Sequence, residues 1–253
     1  MRKRTNKNSC IEFHNSYFII ALGFILTGHF LNLIIFTSLI LFHELGHYLT
    51  ALFLNIEVKK IMIYPFGGIT KLNSMINLDI KKELLVASAG VIMQYIFYLI
   101  IINLPIRNYT KELYTMYNSQ IIFFNLMPIY PLDGSKIIQL LLSSIIPLRI
   151  TNIVTIIISS ISIFFLLYLN IYTMNYSNIM IYIILATYII KFYQKRKYIY
   201  HKFLLERYLY NFNFTKTKII KNYHNMYKNK NHLIYKKGEL LREKDILKQI
   251  FTK

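Results

Sequence analysis

The chain has 253 residues, 55% of them hydrophobic, with a single cysteine and a formal net charge of +19. The apolar residues come in long blocks rather than in alternation, which excludes a soluble globular core and points to a polytopic membrane protein. Cys10 alone excludes an intrachain disulfide framework and a cysteine-rich metal site. The charge is uneven: residues 1–190 hold 13 Lys/Arg against 7 Asp/Glu, and residues 191–253 hold 17 against 4. Residues 1–190 therefore read as a polytopic membrane domain and residues 191–253 as a separate basic tail. Arg2, Lys3 and Arg4 precede an apolar run, but no small-residue cleavage site follows, so a cleavable signal peptide is not expected.

A first span runs from Ser16 to about Leu26. The second, about Leu31 to Leu54, follows with almost no loop, so the two form a tight helical hairpin with His29 as an interfacial residue near the turn. The second span contains Leu41-Phe42-His43-Glu44-Leu45-Gly46-His47. On a helix, His43 and His47 sit four apart and share a face. Two neutral imidazoles there can hold a zinc ion from one side, and Glu44 lies beside it, placed to take a proton from a water at the metal. Each ionisable residue near the bilayer centre costs roughly 2.5–3.5 kcal/mol, so such residues are rare there unless they function. The plain alternative is a polar contact between helices of a bundle.

Residues 55–82 are mixed, with Lys59, Lys60, Lys71, Lys81 and Lys82 marking a water-facing loop. Inside it, Pro65 and Gly67-Gly68 make a turn between two short extended arms. Such a hairpin either lies on the surface or dips into the membrane against protein. An extended edge there is also able to pair with an unwound substrate by strand addition. A third span, about Leu84 to Ile102, carries Ser88-Ala89-Gly90 for close helix packing and Gln94 as a group for hydrogen bonding across helices. The fourth apolar segment, about Ser119 to Leu142, is interrupted by Asn125-Leu126-Met127-Pro128-Ile129-Tyr130-Pro131-Leu132-Asp133-Gly134. Two prolines and a glycine break the helix and free backbone groups, which is tolerated at depth only inside protein or beside a cavity. Glu44 and Asp133 are the only acids within the expected spans, so Asp133 is the natural third zinc ligand, leaving a fourth position for water. The bland reading is an Asp133–Lys136 ion pair. Two further spans run from about Ile150 to Leu169 and from Ile179 to Ile190, ahead of a Lys/Arg-rich stop.

The fold class expected is thus an all-α membrane protein: a six-span transmembrane helical bundle with a short membrane-associated β-hairpin and a small basic cytosolic tail. Positive charge sits at the N-terminal arm, residues 55–82, Arg149 and the tail, so both termini are expected in the cytoplasm. His43 lies 11 residues before Leu54 and Asp133 lies 9 before Leu142. At ~1.5 Å per residue both fall about 14–17 Å from the cytoplasmic edge, near mid-bilayer. In the tail, residues 198–212 read as a helix continuing from the membrane or lying on its surface. Gly238 to Phe251 reads as a short amphipathic helix with Leu240, Leu247 and Phe251 on one face. The tail is expected to anchor on the lipid surface, ahead of the alternative that it docks an acidic substrate region or a regulator; no nucleic-acid-binding fold accompanies it.

The motifs His43-Glu44-Leu45-Gly46-His47, Pro65-Phe66-Gly67-Gly68, Asn125-Leu126-Met127-Pro128 and Pro131-Leu132-Asp133-Gly134 together resemble the site-2 protease family of intramembrane zinc proteases, over roughly residues 10–190. The resemblance implies His43, His47 and Asp133 as zinc ligands, Glu44 as catalytic base, Asn125 as a substrate or oxyanion contact and Phe66 as part of a substrate-gating hairpin. The six-span layout and Phe203-Leu204-Leu205-Glu206-Arg207 are most like the sporulation members of the family. For those the resemblance implies cleavage of a membrane-tethered sigma-factor precursor in the mother cell, under inhibition by partner membrane proteins. Some members carry a C-terminal nucleotide-sensing domain; the roughly 60 residues after the last span are too short for one, which argues against ATP binding. Two rival readings are a metal-binding membrane transporter and a catalytically inactive scaffold. A transport site has no need of a glutamate directly after the first histidine.

Overall fold

The computed structural model describes residues 11–64, 67–72, 75–172, 179–212, 214–236 and 239–252. They fall into two compact units, divided as residues 1–74 with 85–125 and residues 75–84 with 126–253. The chain is mostly helical, and it also carries two three-stranded sheets.

In the first unit, strand β1 (Ile11–Phe13) leads into helix α1 (Asn15–Leu26), and residues 27–29 connect this to α2 (Phe30–Phe53). The short connection expected between the first two apolar runs is therefore present. At ~1.5 Å per residue α2 is about 36 Å long, enough to cross a bilayer core. Its buried residues, Leu33, Ile35, Leu39, Ile40, His43, Glu44, Gly46, His47 and Ala51, recur every three or four positions, whereas Leu31, Ile34, Leu49, Leu52 and Phe53 are exposed and apolar. The polar set thus sits on the packed stripe of the helix. Asn55, with φ 56°, ends it in the left-handed region that asparagine tolerates.

Strands β2 (Val58–Tyr64) and β3 (Gly67–Leu72) pair antiparallel, Ile63 opposite Gly68, and β1 pairs parallel to the other side of β2. Ile61 and Ile63 alternate onto the buried face of the sheet. Both β2 and β3 lie against α2. Helix α3 (Ile80–Ile102) follows, and then α4 (Asn108–Leu126), which ends within the fourth apolar segment. Phe42 stacks on Phe97 at 3.7 Å between ring centroids, beside a core of Ile35, Leu39, Ile40, Ile63, Tyr114 and Ile121.

In the second unit, residues 127–132 break the chain before α5 (Asp133–Ile145), as the two prolines predict. The freed backbone groups find a partner in buried Ser159, whose Oγ donates to Pro128 O (3.2 Å) and accepts from Tyr130 N–H (3.0 Å). That is how irregular backbone survives away from water. Helix α6 (Leu148–Tyr172) and the long α7 (Ile179–Leu209) pack together, and α7 runs on through the basic stop without interruption. Among the described residues, three helices are long and apolar enough to cross a membrane: Phe30–Phe53, Ile80–Ile102 and Leu148–Ile171.

The tail differs from expectation. Strands β4 (Thr217–Ile220), β5 (Asn231–Lys236) and β6 (Glu239–Arg242) form the second sheet, with β4 parallel and β6 antiparallel to β5, and α8 (Glu243–Phe251) closes it. The stretch read as one amphipathic helix is therefore a strand and then a helix: Leu240 pairs with Tyr235 on the sheet, while Leu247 is buried. The sheet and α8 bury Ile220, Met226, Ile234, Ile246 and Leu247 against Leu148, Tyr200, Phe203 and Leu204. Arg207 is buried at the centre. It donates to Asn77 Oδ1 (2.8 Å), to the carbonyls of Tyr227 (2.8 Å), Lys228 (3.0 Å) and Lys230 (2.9 Å), and to both oxygens of Glu243 (3.0 Å). Nearby, Lys228 is buried against Glu83, and desolvation brings its ammonium down to about 8 despite that partner.

Candidate metal centre

His43, Glu44 and His47 are buried, and their ligand atoms lie within 4.8 Å of one another. The two imidazoles meet edge to face, with Nε2 atoms 3.1 Å apart. Each ring is held from behind. His43 Nδ1 lies 3.0 Å from Gln94 Oε1, and His47 Nδ1 lies 2.7 Å from Val86 O. Gln94 in turn donates through Nε2 to Asn118 Oδ1 (3.0 Å) and Asn118 O (3.3 Å), which fixes its oxygen towards His43. Each Nδ1 has an oxygen acceptor within hydrogen-bond distance, and the two Nε2 atoms face each other at 3.1 Å. Two imidazoles held through Nδ1 with their Nε2 atoms brought together present both nitrogens to one point. The donor set fits a zinc ion, with the back-bonding that orients metal-binding histidines.

Glycines let other elements reach this cluster. At Gly90 of α3 a Cβ would overlap His47 Nε2 and Cε1 and His43 Nε2. At Gly68 of β3 it would overlap the Glu44 carboxyl group, so the strand backbone runs directly past that acid. Gly46 lets α2 close on the Ala89 backbone. The small residues Ala89 and Gly90, read as packing residues, therefore shape the metal cluster itself. Gly90→Ala puts a methyl group where the two Nε2 atoms converge, and both rings are pinned and unable to retreat. Bound zinc per chain, measured on the purified variant, is expected to fall at least about tenfold.

Asp133 stands in the second unit as the first residue of α5, and Gly134 beside it allows a tight return on the Leu126 and Met127 carbonyls. Lys136, weighed as its ion-pair partner, lies 3.2 Å from Glu83. Asn125 lies at the end of α4 and its Nδ2 donates back to Ile121 O (3.1 Å). Phe66, like Pro65, lies outside the described residues. Gln94 and Asn118 are the residues that sequence reasoning did not place at the site. The only signal was a lone amide in an apolar span. Gln94→Leu removes the acceptor that sets the His43 tautomer, and a metal-buffer titration is expected to show zinc affinity reduced about 10–100-fold.

A model of peptidase family M50 matches residues 31–110 and 105–169, more than half of the chain and including the His43–His47 cluster. The chain belongs to this family. The stage IV sporulation protein FB of Bacillus subtilis is 32% identical over 207 residues, covering 78% of this chain and 71% of that protein. A zinc metalloprotease of Methanocaldococcus jannaschii is 29% identical over 120 residues, covering 44% of this chain and 34% of its own length. The solved site-2 protease from Methanocaldococcus jannaschii shares the fold, with a TM-score of 0.57 over 74% of this chain and 93% of that one, at 20% identity. The protein is therefore an intramembrane zinc metalloprotease, and its buried His–Glu–His cluster is compatible with the zinc such a protease uses.

Proposed function

We propose that the protease cleaves a membrane-tethered sigma-factor precursor during sporulation. The observation that carries this reading is the 32% identity to a stage IV sporulation protein over most of both chains. In this reading six segments cross the membrane around the forespore from the mother-cell side, with both termini in the cytoplasm, and inhibitory membrane proteins hold the enzyme until signalled.

His43, His47 and Asp133 would hold the zinc, and the ion would supply the Lewis acidity that activates water and polarises the scissile carbonyl. Glu44 takes a proton from the attacking water and passes it to the leaving amide nitrogen. Its burial keeps that transfer away from bulk water. Asn125 contributes a donor to the developing oxyanion. The substrate stretch must be extended to offer its carbonyl. Among the described residues strand β3 has a neighbour on one side only and passes Glu44 at Gly68, so its outer edge suits a substrate strand added beside the base.

The test is co-expression with a membrane-tethered sigma-factor precursor and with the same precursor lacking its tether. Cleavage of the tethered form by wild type, and by neither Glu44→Gln nor Asp133→Asn, is the expected result. Cleavage of neither form by a zinc-loaded wild type would reject this substrate class.

A further inference from the structure

A second cluster of polar groups lies apart from the protease chemistry, wholly within the second unit. Where α6 begins and α7 has passed its apolar part, a cavity of about 330 Å³ is lined by Arg149, Asn152, Arg196, Lys197, His201 and His224, and none of its lining residues is acidic. Among the described residues, none of its cationic side chains has a carboxylate partner; the ion pairs of this unit go to Lys136, Lys202, Arg207, Lys228 and His232 instead. Two buried polar atoms on its wall, Asn152 Nδ2 and His224 Nδ1, have no hydrogen-bond partner. Asn152 is only 2% exposed, and its Oδ1 already accepts from Gln139, so its amide group is the donor left over. Burial, then the charges of Arg149 and His201, hold the His224 imidazole below its usual range. A buried amide donor without a partner is costly, and here it lies beside cations that have no carboxylate partner, a set of groups that suits an anion.

The position narrows the anion. Helix α6 is long and apolar enough to cross a membrane from Leu148, and such a crossing puts Arg149 at the membrane–water boundary. Ile153 lines the cavity and is also exposed, and Ile157 and Ile161 continue that exposed apolar strip one turn at a time along α6. A charged cup that opens onto a lipid-facing strip has the form of a headgroup site with a track for an acyl chain. We propose that this cavity binds a phosphate group, and that its source is the headgroup of an anionic phospholipid.

The experiment is native mass spectrometry of the full chain released from micelles containing equal phosphatidylglycerol and phosphatidylcholine. Wild type is expected to retain phosphatidylglycerol in about tenfold excess, a preference equivalent to about 1.4 kcal/mol. The double variant Arg149→Gln/Arg196→Gln is expected to lose the preference. Lys216→Gln/Lys221→Gln, with the same charge change elsewhere on the tail, is expected to keep it. Should the double variant fail to fold, Arg196→Gln alone serves, because that side chain is partly exposed. A parallel arm adds inorganic phosphate or pyrophosphate and follows thermal stability. Stabilisation of wild type but not of the arginine variant, with no lipid retained, assigns the site to a soluble phosphate compound. Equal lipid retention by wild type and arginine variant, with no effect of either phosphate, overturns the proposal.

Discussion

Exchanging Glu44 for glutamine is expected to lower the cleavage rate by about 10²–10⁴-fold, the range that a positioned general base contributes, while leaving bound zinc at the wild-type level. Glutamine has nearly the shape of the carboxylate, so the close passage of Gly68 over this side chain is preserved. The metal cluster is then little disturbed, because Gln94 and Val86 hold both imidazoles from behind. What glutamine lacks is the ability to take a proton. Paired rate and metal measurements on one preparation separate this role from a ligand role. Loss of zinc along with activity would make Glu44 a ligand, and retained activity would remove it as the base. Gly68→Val supplies the complementary case: the acid remains, but the strand that passes it is forced away.

Arg207→Met is expected to destabilise the C-terminal module by about 3–5 kcal/mol, because it removes one partner of a buried, fully hydrogen-bonded ion pair. Methionine fills much of the arginine volume but donates nothing. The carbonyls of Tyr227, Lys228 and Lys230, together with Asn77 and Glu243, lose their shared donor at once. The guanidinium also lies between the rings of Phe203 and Phe214, at 4.8 and 4.7 Å, contacts that methionine replaces only in part. Limited proteolysis is the readout. Residues 214–252 should become cleavable at protease concentrations that leave the wild type intact, while the helix to Phe203 stays protected. Unchanged protection would show that the sheet and α8 are held by their apolar core alone.

The two features most legible in the sequence were those where chemistry conflicts with surroundings. Three polar residues within an apolar run announced the cluster on α2, because burying them needs a reason. Pro128 and Pro131 announced the break before α5, because proline cannot continue the ladder. The fold of the tail was hidden. Its strands are short, and in Thr217–Ile220 and Asn231–Lys236 the apolar residues stand side by side instead of alternating, so no period-two pattern shows. What stabilises them is distant in sequence: Leu148, the end of α7 and the loop at Asn77. Gln94 was visible as a polar residue, but its partners His43 and Asn118 stand 51 and 24 positions away. No local pattern encodes that meeting.

The most direct test of the metal centre is zinc-edge X-ray absorption on the purified full chain. Two imidazole nitrogens with oxygen ligands at about 2.0–2.1 Å are expected in wild type, with the nitrogen contribution reduced in His43→Ala and His47→Ala. Zinc bound with the same nitrogen shell in both histidine variants would contradict the placement of the metal on α2.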